Sequence, residues 1–358
     1  MGAFALLTPV IAAGDAVSND VIGMRDALIE AGHHARIFAG NASAQGGDVE
    51  SLERMWEWNC GAEAVAILHF SIGWPAGRTA FDRWPGKKVV RYHNVTPPEF
   101  FEGYNDEYEA VCLAGRREID VVANAGYDLY LSCSEYSAKE LIAAGVAEER
   151  SAVLPPFHQA DRLVEAQADM ELLDRFRDGR LNVLAVGRLA PNKNHLPLLA
   201  ACGIYRRHYS DALRLIVVGR SDPRLERYTA RMRDCIRAQR IGSNVEFLEG
   251  LDEAKLKSCF LAAHVFATTS LHEGFCVPLI ESMAIRVPIM ALSRAAVAET
   301  AAGAGLVWPE EDPWLFAESF RQLRENPAVG RALTESAAKK YETLYSNERI
   351  RQCFLSAL

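Results

Sequence analysis

Residues 272–284 read His-Glu-Gly-Phe-Cys-Val-Pro-Leu-Ile-Glu-Ser-Met-Ala, and this stretch predicts a tight turn followed at once by a helix. Pro278 suits the first turn of a helix, because its N–H is missing where it would have no partner and its φ is already helical. We therefore expect the helix to begin at about Val277 or Pro278. The run 263–268 just upstream is apolar and β-branched, so a strand, a turn and a helix follow in this order.

A strand that leads directly into a helix marks the place where parallel α/β sheets bind ligands. The first amides of such a helix lack intrahelical partners and lie at the positive end of its dipole, so a phosphate there gains hydrogen bonds and a favourable field. Glu281, which we expect in the first turn of the helix, can accept hydrogen bonds from two adjacent hydroxyls, as a ribose offers. Glu273 precedes the turn and is placed to reach a different group of the ligand. The stretch therefore predicts a site for a nucleoside diphosphate.

These residues resemble the signature of the retaining glycosyltransferases of family 4, which have the GT-B fold. The signature has two glutamates separated by seven residues, in the context Glu-Gly-Phe-x-x-Pro-x-x-Glu-(Ser/Ala)-Met-Ala, and residues 273–284 match it. Two glutamates at this spacing also arise by chance in a chain with 24% charged residues, but the Gly-Phe, proline and Ser-Met-Ala around them make the match specific. The resemblance implies that the donor nucleotide is bound by Gly274, Phe275, Cys276, Val277 and Glu281.

A second motif follows the strand predicted over residues 181–187, Leu-Asn-Val-Leu-Ala-Val-Gly. The family pattern Gly-Arg-four residues-Lys is matched by Gly187, Arg188 and Lys193. The resemblance implies that the two cations neutralise the leaving diphosphate, the task that a divalent metal performs in other transferases. Two solvated loop cations are the alternative, and the glutamates downstream favour the family role. Because the chain has no Asp-x-Asp, we expect a reaction that requires no metal and no other cofactor.

Strands and helices continue to alternate after this loop, with strands predicted over 213–218 and 244–248. The resemblance implies that the backbone near Gly219 and Leu251, which follow these strands, approaches the nucleobase. An arginine-rich helix is predicted between them, at about 225–240. Its arginines either form a solvated face or meet an anionic lipid surface.

The first half of the chain opens with a strand predicted over residues 3–10, a loop of small residues and a helix. Asn19 or Asp20 can cap the start of that helix, and Gly32 can end it in the left-handed conformation. In the resembling family a loop at this place closes over the donor diphosphate, and Gly14 holds the matching position. A glycine that merely permits a turn is the alternative.

Two histidines lie at or near the carboxyl ends of strands predicted over 64–70 and 88–93. These ends form the ligand edge of a parallel sheet. His93 is a stronger candidate than His69, because it leads into a segment that prolines hold extended, and family members carry a histidine at this strand end beside the donor sugar. A hydrogen-bonded structural role is the alternative for either histidine.

The double proline at 155–156 is the best signal of a domain boundary. We expect residues 1–156 to form an N-terminal acceptor domain, residues 157–345 a C-terminal donor domain, and the last helix, 346–358, to return to the first domain. Residues 157–180 are predicted to be a linker with a short helix. The α/β alternation and the resemblance together predict two Rossmann-like domains, each with a parallel sheet, facing a central cleft.

Composition narrows the class of protein. A length of 358 residues suggests two domains, and 49% hydrophobic residues are typical of a soluble globular chain. No apolar run reaches the length of a membrane span, so we expect a cytoplasmic protein, with peripheral contact at the inner face of the membrane left open. The net charge of −8 argues against nucleic acid as a partner. The eight cysteines lack a Cys-x-x-Cys pair, which indicates reduced thiols.

The sequence thus predicts a retaining hexosyltransferase that uses a nucleotide-diphosphate sugar, with GDP-mannose as the first choice and a UDP-sugar as the second. The expected acceptor is a hydroxyl of a saccharide or a lipid-linked saccharide. Glu273 would orient sugar hydroxyls, Glu281 would hold the ribose, and His93 would contact the sugar or the acceptor. Two other classes remain open: a non-catalytic sugar-nucleotide binding protein of the same fold, and a sugar-nucleotide epimerase or phosphorylase of similar architecture, for which we find no motif.

Overall fold

The computed structural model describes residues 1–41, 49–58 and 63–358. These residues form two compact units. The first unit comprises Met1–Glu99, Glu107–His158 and Ser346–Leu358, and the second comprises Phe100–Asp106 and Gln159–Tyr345. The first unit therefore includes residues 157 and 158, and the second includes 100–106, whereas the sequence placed both segments in the other domain.

The strands of both units are parallel to their neighbours. In chain order, those of the first unit are β1 Ala3–Val10, β2 His34–Asn41, β3 Val49–Ser51, β4 Val65–Phe70, β5 Lys88–Tyr92, β6 Leu129–Ser132 and β7 Ser151–Val153. Those of the second unit are β8 Leu181–Val186, β9 Leu213–Val218, β10 Val245–Leu248, β11 Val265–Thr268, β12 Ile289–Leu292 and β13 Leu306–Trp308.

Helices connect these strands. The first unit has α1 Ala16–Glu30, α2 Pro75–Asp82, α3 Asp106–Ala123 and α4 Glu135–Ala143, and the second has α5 Ala160–Glu165, α6 Met170–Phe176, α7 His195–His208, α8 Glu226–Gln239, α9 Glu253–Ala262, α10 Val277–Ile285, α11 Val297–Thr300, α12 Pro313–Glu325 and α13 Pro327–Lys340. The chain ends with α14 Asn347–Ala357 in the first unit. The alternation of strands and helices confirms the predicted α/β class with two parallel sheets.

Strand order places a switch point in the middle of each sheet. The first sheet has the order β3-β2-β1-β4-β5-β6-β7, and the second has β10-β9-β8-β11-β12-β13. The chain therefore proceeds outward in one direction from β1 or β8 and then returns to start outward in the other from β4 or β11. Ligands of open α/β sheets bind at such a point, outside the carboxyl ends of the strands. The candidate loops of the second unit follow β8 and β11, which are neighbours in the sheet.

Both faces of the first sheet are covered by apolar side chains. One face packs with α1 and α14, and its buried residues include Leu6, Ile67 and Phe354. The other face has a second cluster that includes Phe81 and Tyr130. Because both faces of the sheet are buried, the sequences of these parallel strands are nearly continuous apolar runs.

The start of helix α1 differs from the prediction, and its end agrees with it. Helix α1 begins earlier than predicted, because Asp15 caps it by accepting a hydrogen bond from the Ser18 amide at 2.8 Å. Asn19 and Asp20 are therefore not caps; both lie inside the helix. Gly32 does take the predicted left-handed conformation, with φ of 83°.

Residues 157–180 contain two short helices, α5 and α6, instead of a linker with one. The segment is fastened to α9: Ser258 Oγ donates to the Asp169 carbonyl at 2.8 Å, and Lys257 Nζ donates to the Ala166 carbonyl at 2.6 Å. From residue 159 onward it therefore belongs to the packed body of the second unit.

The arginines of α8 are paired within the second unit. Arg233 pairs with Glu226, and Arg237 pairs with Asp234. Arg227 donates to the Gly103 carbonyl at 2.9 Å. These contacts fit a solvated face, and the lipid-binding alternative stays a prediction. No helix in the described parts of the chain is both long enough and apolar enough to cross a membrane. Of the eight cysteines, Cys60 lies outside the described residues, and the other seven form no disulfide with one another.

Candidate active site

The turn before α10 has a left-handed residue that the sequence did not reveal. Helix α10 begins at Val277, as predicted, but the residue with positive φ is Cys276, at 77°, and not the neighbouring glycine. Phe275 packs edge-on against Tyr345, with ring centroids 5.5 Å apart, and its carbonyl accepts from Thr300 Oγ1 at 3.1 Å. The turn is therefore held from two sides at the positive end of a helix. Burial raises the pKa of the Cys276 thiol, which accordingly packs as a neutral group.

The loops after β8 and β11 are joined by backbone and side-chain hydrogen bonds. The Leu271 amide donates to the Asn192 carbonyl at 2.9 Å, and Thr269 Oγ1 donates to the Asn194 carbonyl at 2.6 Å. These bonds fix the position of the short turn 191–193, which ends at Lys193. They explain how two motifs far apart in the sequence form one site.

The joined loops place Lys193 and Glu273 in direct contact. Lys193 Nζ lies 2.6 Å from Glu273 Oε1, although 80 residues separate them in the chain. The side chains are 20% and 11% exposed, so the pair is partly shielded yet accessible from one side. The predicted cation and the predicted sugar-side carboxylate thus meet at the switch point of the second sheet.

Gly187 and Gly219 lie against each other at the same sheet edge. A Cβ atom on Gly219 would lie 1.8 Å from the Gly187 carbonyl oxygen. This distance is too short for any side chain, so only glycine fits at position 219. Gly187 has φ of 150°, a backbone conformation that favours glycine. Arg188, next to Gly187, is exposed and has no hydrogen bond or ion pair within the described residues. Its guanidinium is available to an anion. Leu251, half-buried after β10, follows at the same end of the sheet.

Glu281 is a half-buried carboxylate with no hydrogen-bond or salt-bridge partner among the described residues. It is the fifth residue of α10, one position beyond the predicted first turn. Burial raises its pKa to about 7, because no neighbouring cation or donor compensates for the lost water. A carboxylate in this state gains most from a ligand that brings hydroxyl donors.

This raised pKa gives a prediction about pH. We expect the affinity for a nucleoside diphosphate to rise as the pH is raised from about 6 to about 8, because ribose hydroxyls donate to the ionised carboxylate, whose pKa lies near 7. Calorimetric titration at several pH values measures it. The Glu281→Gln variant is the control, since it keeps the titration of the phosphates and removes that of the carboxyl. Equal pH dependence in both proteins would contradict the prediction.

The raised pKa of Glu281 also makes the stability of the folded chain depend on pH. The unfolded chain releases the Glu281 proton near the usual value of 4.5, whereas the folded chain retains it until about pH 7. The unfolded state therefore binds fewer protons in this interval, and the Glu281 contribution to stability falls as the pH rises through it.

In the first unit, a buried ion pair lies below the end of β5. Arg91 Nε donates to Asp20 Oδ2 at 2.7 Å, and both side chains are fully buried. The other oxygen of Asp20 accepts from the Phe157 amide at 2.7 Å, and Arg91 Nη1 donates to the Leu154 carbonyl at 2.7 Å. A pair of this kind must be well hydrogen-bonded to offset its desolvation.

Sequence reasoning missed this ion pair. Two signals were present: an arginine between Val90 and Tyr92 in a buried strand, and Asp20 on the helical face of Met24 and Leu28, at four-residue spacing. A charge on a buried face indicates a buried partner of opposite charge.

The two candidate histidines are in contact above this pair. His69 Nδ1 lies 3.0 Å from His93 Nε2, which is itself 3.6 Å from Asp20 Oδ2. Burial lowers the pKa of both rings well below the usual value, and the positive charge of Arg91 lowers it further, so both histidines are neutral. The substrate contact predicted for His93 remains a prediction.

The chain turns sharply directly after His93. Asn94 has φ of 73°, and its side-chain Nδ2 donates to Ser137 Oγ at 3.2 Å and to Glu140 Oε2 at 3.1 Å. Strained residues of this kind collect at functional sites. Gly14, the other candidate of this unit, has φ of 71° with no atom near the position of an added Cβ. It fits the turn role, and its predicted contact with the diphosphate stays untested.

Three of these atoms form a cluster that resembles a metal site. Asp20, His69 and His93 each offer a ligand atom, and these atoms lie within 4.8 Å of one another. However, the Arg91 guanidinium already donates to the same Asp20 oxygen, and its charge opposes a second cation there. The arrangement fits a hydrogen-bonded network better than a metal centre.

Comparison with known proteins reveals the following similarities. Residues 174–340 match a family described as glycosyl transferases group 1. A D-inositol 3-phosphate glycosyltransferase of Kineococcus radiotolerans is 26% identical over 292 residues, which cover 76% of this chain and 66% of that protein, a little under two thirds of its length.

Solved structures resemble the whole chain. HepE of Anabaena, in complex with UDP and glucose, has a TM-score of 0.79 at 15% identity, with 100% of each chain covered. Sucrose-phosphate synthase of Thermosynechococcus elongatus has a TM-score of 0.76 at 17% identity, covering 99% of this chain and 98% of that one. WaaG, a glycosyltransferase involved in lipopolysaccharide biosynthesis, has a TM-score of 0.72 at 15% identity, covering 98% and 99%.

Proposed function

We propose that this chain, which has the fold of the GT-B glycosyltransferases, transfers a sugar from a nucleotide-diphosphate sugar to an acceptor hydroxyl with retention of anomeric configuration. The observation that carries the proposal is the contact of Lys193 with Glu273 at 2.6 Å, between the loop that also contains the exposed Arg188 and the turn that leads into α10. Cations that neutralise a diphosphate and a carboxylate that binds sugar hydroxyls are the groups this reaction needs.

The chemistry follows from these groups. The bond between the anomeric carbon and the diphosphate oxygen breaks, the acceptor oxygen bonds to that carbon, and the acceptor proton passes to the departing phosphate oxygen. Arg188 and Lys193 stabilise the negative charge that develops on the diphosphate. In this proposal Glu273 accepts hydrogen bonds from sugar hydroxyls and Glu281 holds the ribose, so neither carboxylate acts as a nucleophile. This supports attack from the same face as the departing group.

Donor binding changes the partner of Lys193 in this proposal. Without a ligand, Lys193 and Glu273 neutralise each other. A diphosphate carries more charge than one carboxylate and attracts the ammonium group, which leaves Glu273 free to accept hydrogen bonds from sugar hydroxyls.

The nucleotide is proposed to be UDP or GDP. Structures of the Anabaena relative contain UDP, and one of them UDP-glucose, which favours a UDP-sugar, whereas the sequence resemblance favours GDP-mannose. The acceptor is proposed to be a saccharide or a lipid-linked saccharide. The name of the Kineococcus relative adds a phosphorylated cyclitol to the acceptors worth testing.

A thermal-shift panel of UDP, GDP, ADP and CMP tests the proposal. A ligand that binds only the folded state stabilises it by RT ln(1 + [L]/Kd), so one nucleoside diphosphate should raise Tm more than the others and more than CMP. The corresponding nucleotide sugar should then release its diphosphate slowly without acceptor. No shift with any diphosphate would contradict the proposed function, and binding without turnover would indicate a non-catalytic binding protein.

We expect transfer to survive chelation by EDTA. The chain has no Asp-x-Asp, and two cations lie where the diphosphate is proposed to bind. The measurement is the initial rate before and after dialysis against EDTA, with magnesium or manganese added back. Loss of activity with the chelator and its recovery with either metal would show that the two cations alone do not stabilise the leaving group.

A further inference from the structure

We propose that His69 and Asp20 are positioning residues that fix the tautomer of His93, with the proton on Nε2 and an unprotonated Nδ1 that accepts a hydrogen bond from a substrate hydroxyl. The tautomer is inferred from the contacts of the two rings and does not depend on the proposed function. The role of Nδ1 rests on the proposed function.

The contact between the two rings allows only two arrangements. Both rings are neutral, so each has one N–H and one lone pair. Across the 3.0 Å between His69 Nδ1 and His93 Nε2, one nitrogen donates and the other accepts. If His93 donates, its Nδ1 is an acceptor; if His69 donates, Nδ1 of His93 carries a proton. The direction of this hydrogen bond therefore sets the chemistry that His93 offers.

Asp20 favours the arrangement in which His93 donates, and the lone pair of His69 at 3.0 Å accepts its proton. Its Oδ2 atom lies 3.6 Å from His93 Nε2 and is fully buried. A proton on Nε2 points positive charge toward both the carboxylate and the His69 lone pair, whereas a lone pair on Nε2 would face a carboxylate oxygen in a site of low dielectric. Nε2 of His69 is buried without a hydrogen-bond partner among the described residues, as an N–H when His93 donates and as a lone pair when His69 donates, so each arrangement leaves one polar atom unpaired.

Arg91 and the backbone hold the carboxylate in place for this task. The guanidinium donates to Oδ2, and the Phe157 amide donates to Oδ1. These two bonds hold the Asp20 carboxylate in its position next to His93. The positive charge of Arg91 balances the negative charge of Asp20 inside the core. Carboxylates often fix a histidine tautomer through such a neighbouring contact.

The other face of His93 is the one available to a ligand. The side chain is only 7% exposed, and no hydrogen bond to its Nδ1 is found among the described residues. The left-handed Asn94 turns the chain away directly after it. An acceptor nitrogen at the ligand edge of a parallel sheet suits a hydroxyl of the sugar or of the acceptor.

The test is nitrogen NMR of the full chain with ¹⁵N-labelled histidine, in which protonated and unprotonated ring nitrogens resonate far apart. We expect His93 to have a protonated Nε2 and a bare Nδ1. In His69→Leu, which removes the acceptor, the His93 signals should shift toward a mixture of tautomers. In His69→Asn, whose side-chain oxygen can replace the lost acceptor, they should stay. His34→Leu, at an exposed position, is the matched control.

Turnover provides a second readout. We expect kcat of His69→Leu to fall about tenfold, the effect of one hydrogen bond, with little change in nucleotide affinity and recovery in His69→Asn. A proton on Nδ1 of His93 in the unmodified protein would overturn the proposal, as would unchanged His93 signals in His69→Leu. If His69→Leu does not fold, the His93 nitrogen signals of the unmodified protein and of His69→Asn still test the predicted tautomer. Absence of any transfer in the unmodified protein would contradict the proposed function and leave the tautomer result standing.

Discussion

Replacing Lys193 with alanine is expected to lower kcat by about a hundred- to a thousandfold, the usual effect of removing one group that stabilises developing charge. The ammonium lies 2.6 Å from Glu273 in the unliganded chain, and a departing diphosphate needs its charge more than the carboxylate does. Because the two side chains are only 20% and 11% exposed, removal of the ammonium leaves a mostly buried Glu273 without its partner, so Tm should fall, but the loss of kcat should far exceed what the lost stability can explain. The measurement combines single-turnover rates with thermal unfolding.

Arg188→Ala should reduce kcat similarly, and it is the cleaner variant. Its guanidinium is exposed and has no partner in the described part of the chain, so no other side chain loses a contact when it is removed. Lys255→Ala is the matched control, since Lys255 is an exposed lysine on α9 of the same unit. Unchanged turnover in Arg188→Ala or Lys193→Ala would identify that cation as a solvated loop residue.

Much of the fold could be read from local patterns in the sequence. Apolar β-branched runs predicted the strands, and Pro278 predicted the start of α10 to within a residue. The start of α1 was misplaced because three carboxylate or amide side chains compete there as caps, and Asp15 wins by reaching the Ser18 amide. The helices within 157–180 were underestimated because tertiary bonds, such as that from Ser258, stabilise segments with weak intrinsic signals.

The site was harder to predict, since its geometry depends on long-range contacts. The sequence named Lys193 and Glu273 separately, but only the adjacency of β8 and β11 places them together. The Arg91 and Asp20 pair joins residues 71 apart, so it depends on how α1 packs against the sheet. The left-handed Cys276 has no sequence signal, because glycine is the residue expected at positive φ.

The second prediction of large effect separates the two glutamates of the motif. Glu281→Ala should lower the affinity for free nucleoside diphosphate by about ten- to a hundredfold, because a charge-assisted hydrogen bond is worth about 1.5–3 kcal/mol. The carboxylate has no partner of its own in the described residues, so its loss leaves no buried donor unpaired and the fold should remain intact. Calorimetric titration with the preferred diphosphate measures the change, and Glu310→Ala, at an exposed position of the same unit, is the control.

Glu273→Ala should have the opposite signature. In the unliganded chain Glu273 neutralises Lys193, so its removal frees that ammonium, and the free diphosphate should bind as tightly as before or more tightly. Transfer should nevertheless fall strongly, because sugar hydroxyls lose the acceptor that aligns the anomeric carbon with the incoming hydroxyl. The two variants thus move affinity and turnover in different combinations, which a common loss of stability could not produce. Equal loss of nucleotide affinity in both would refute this division of roles, and it would mean that Glu273, like Glu281, contacts the nucleotide rather than the sugar.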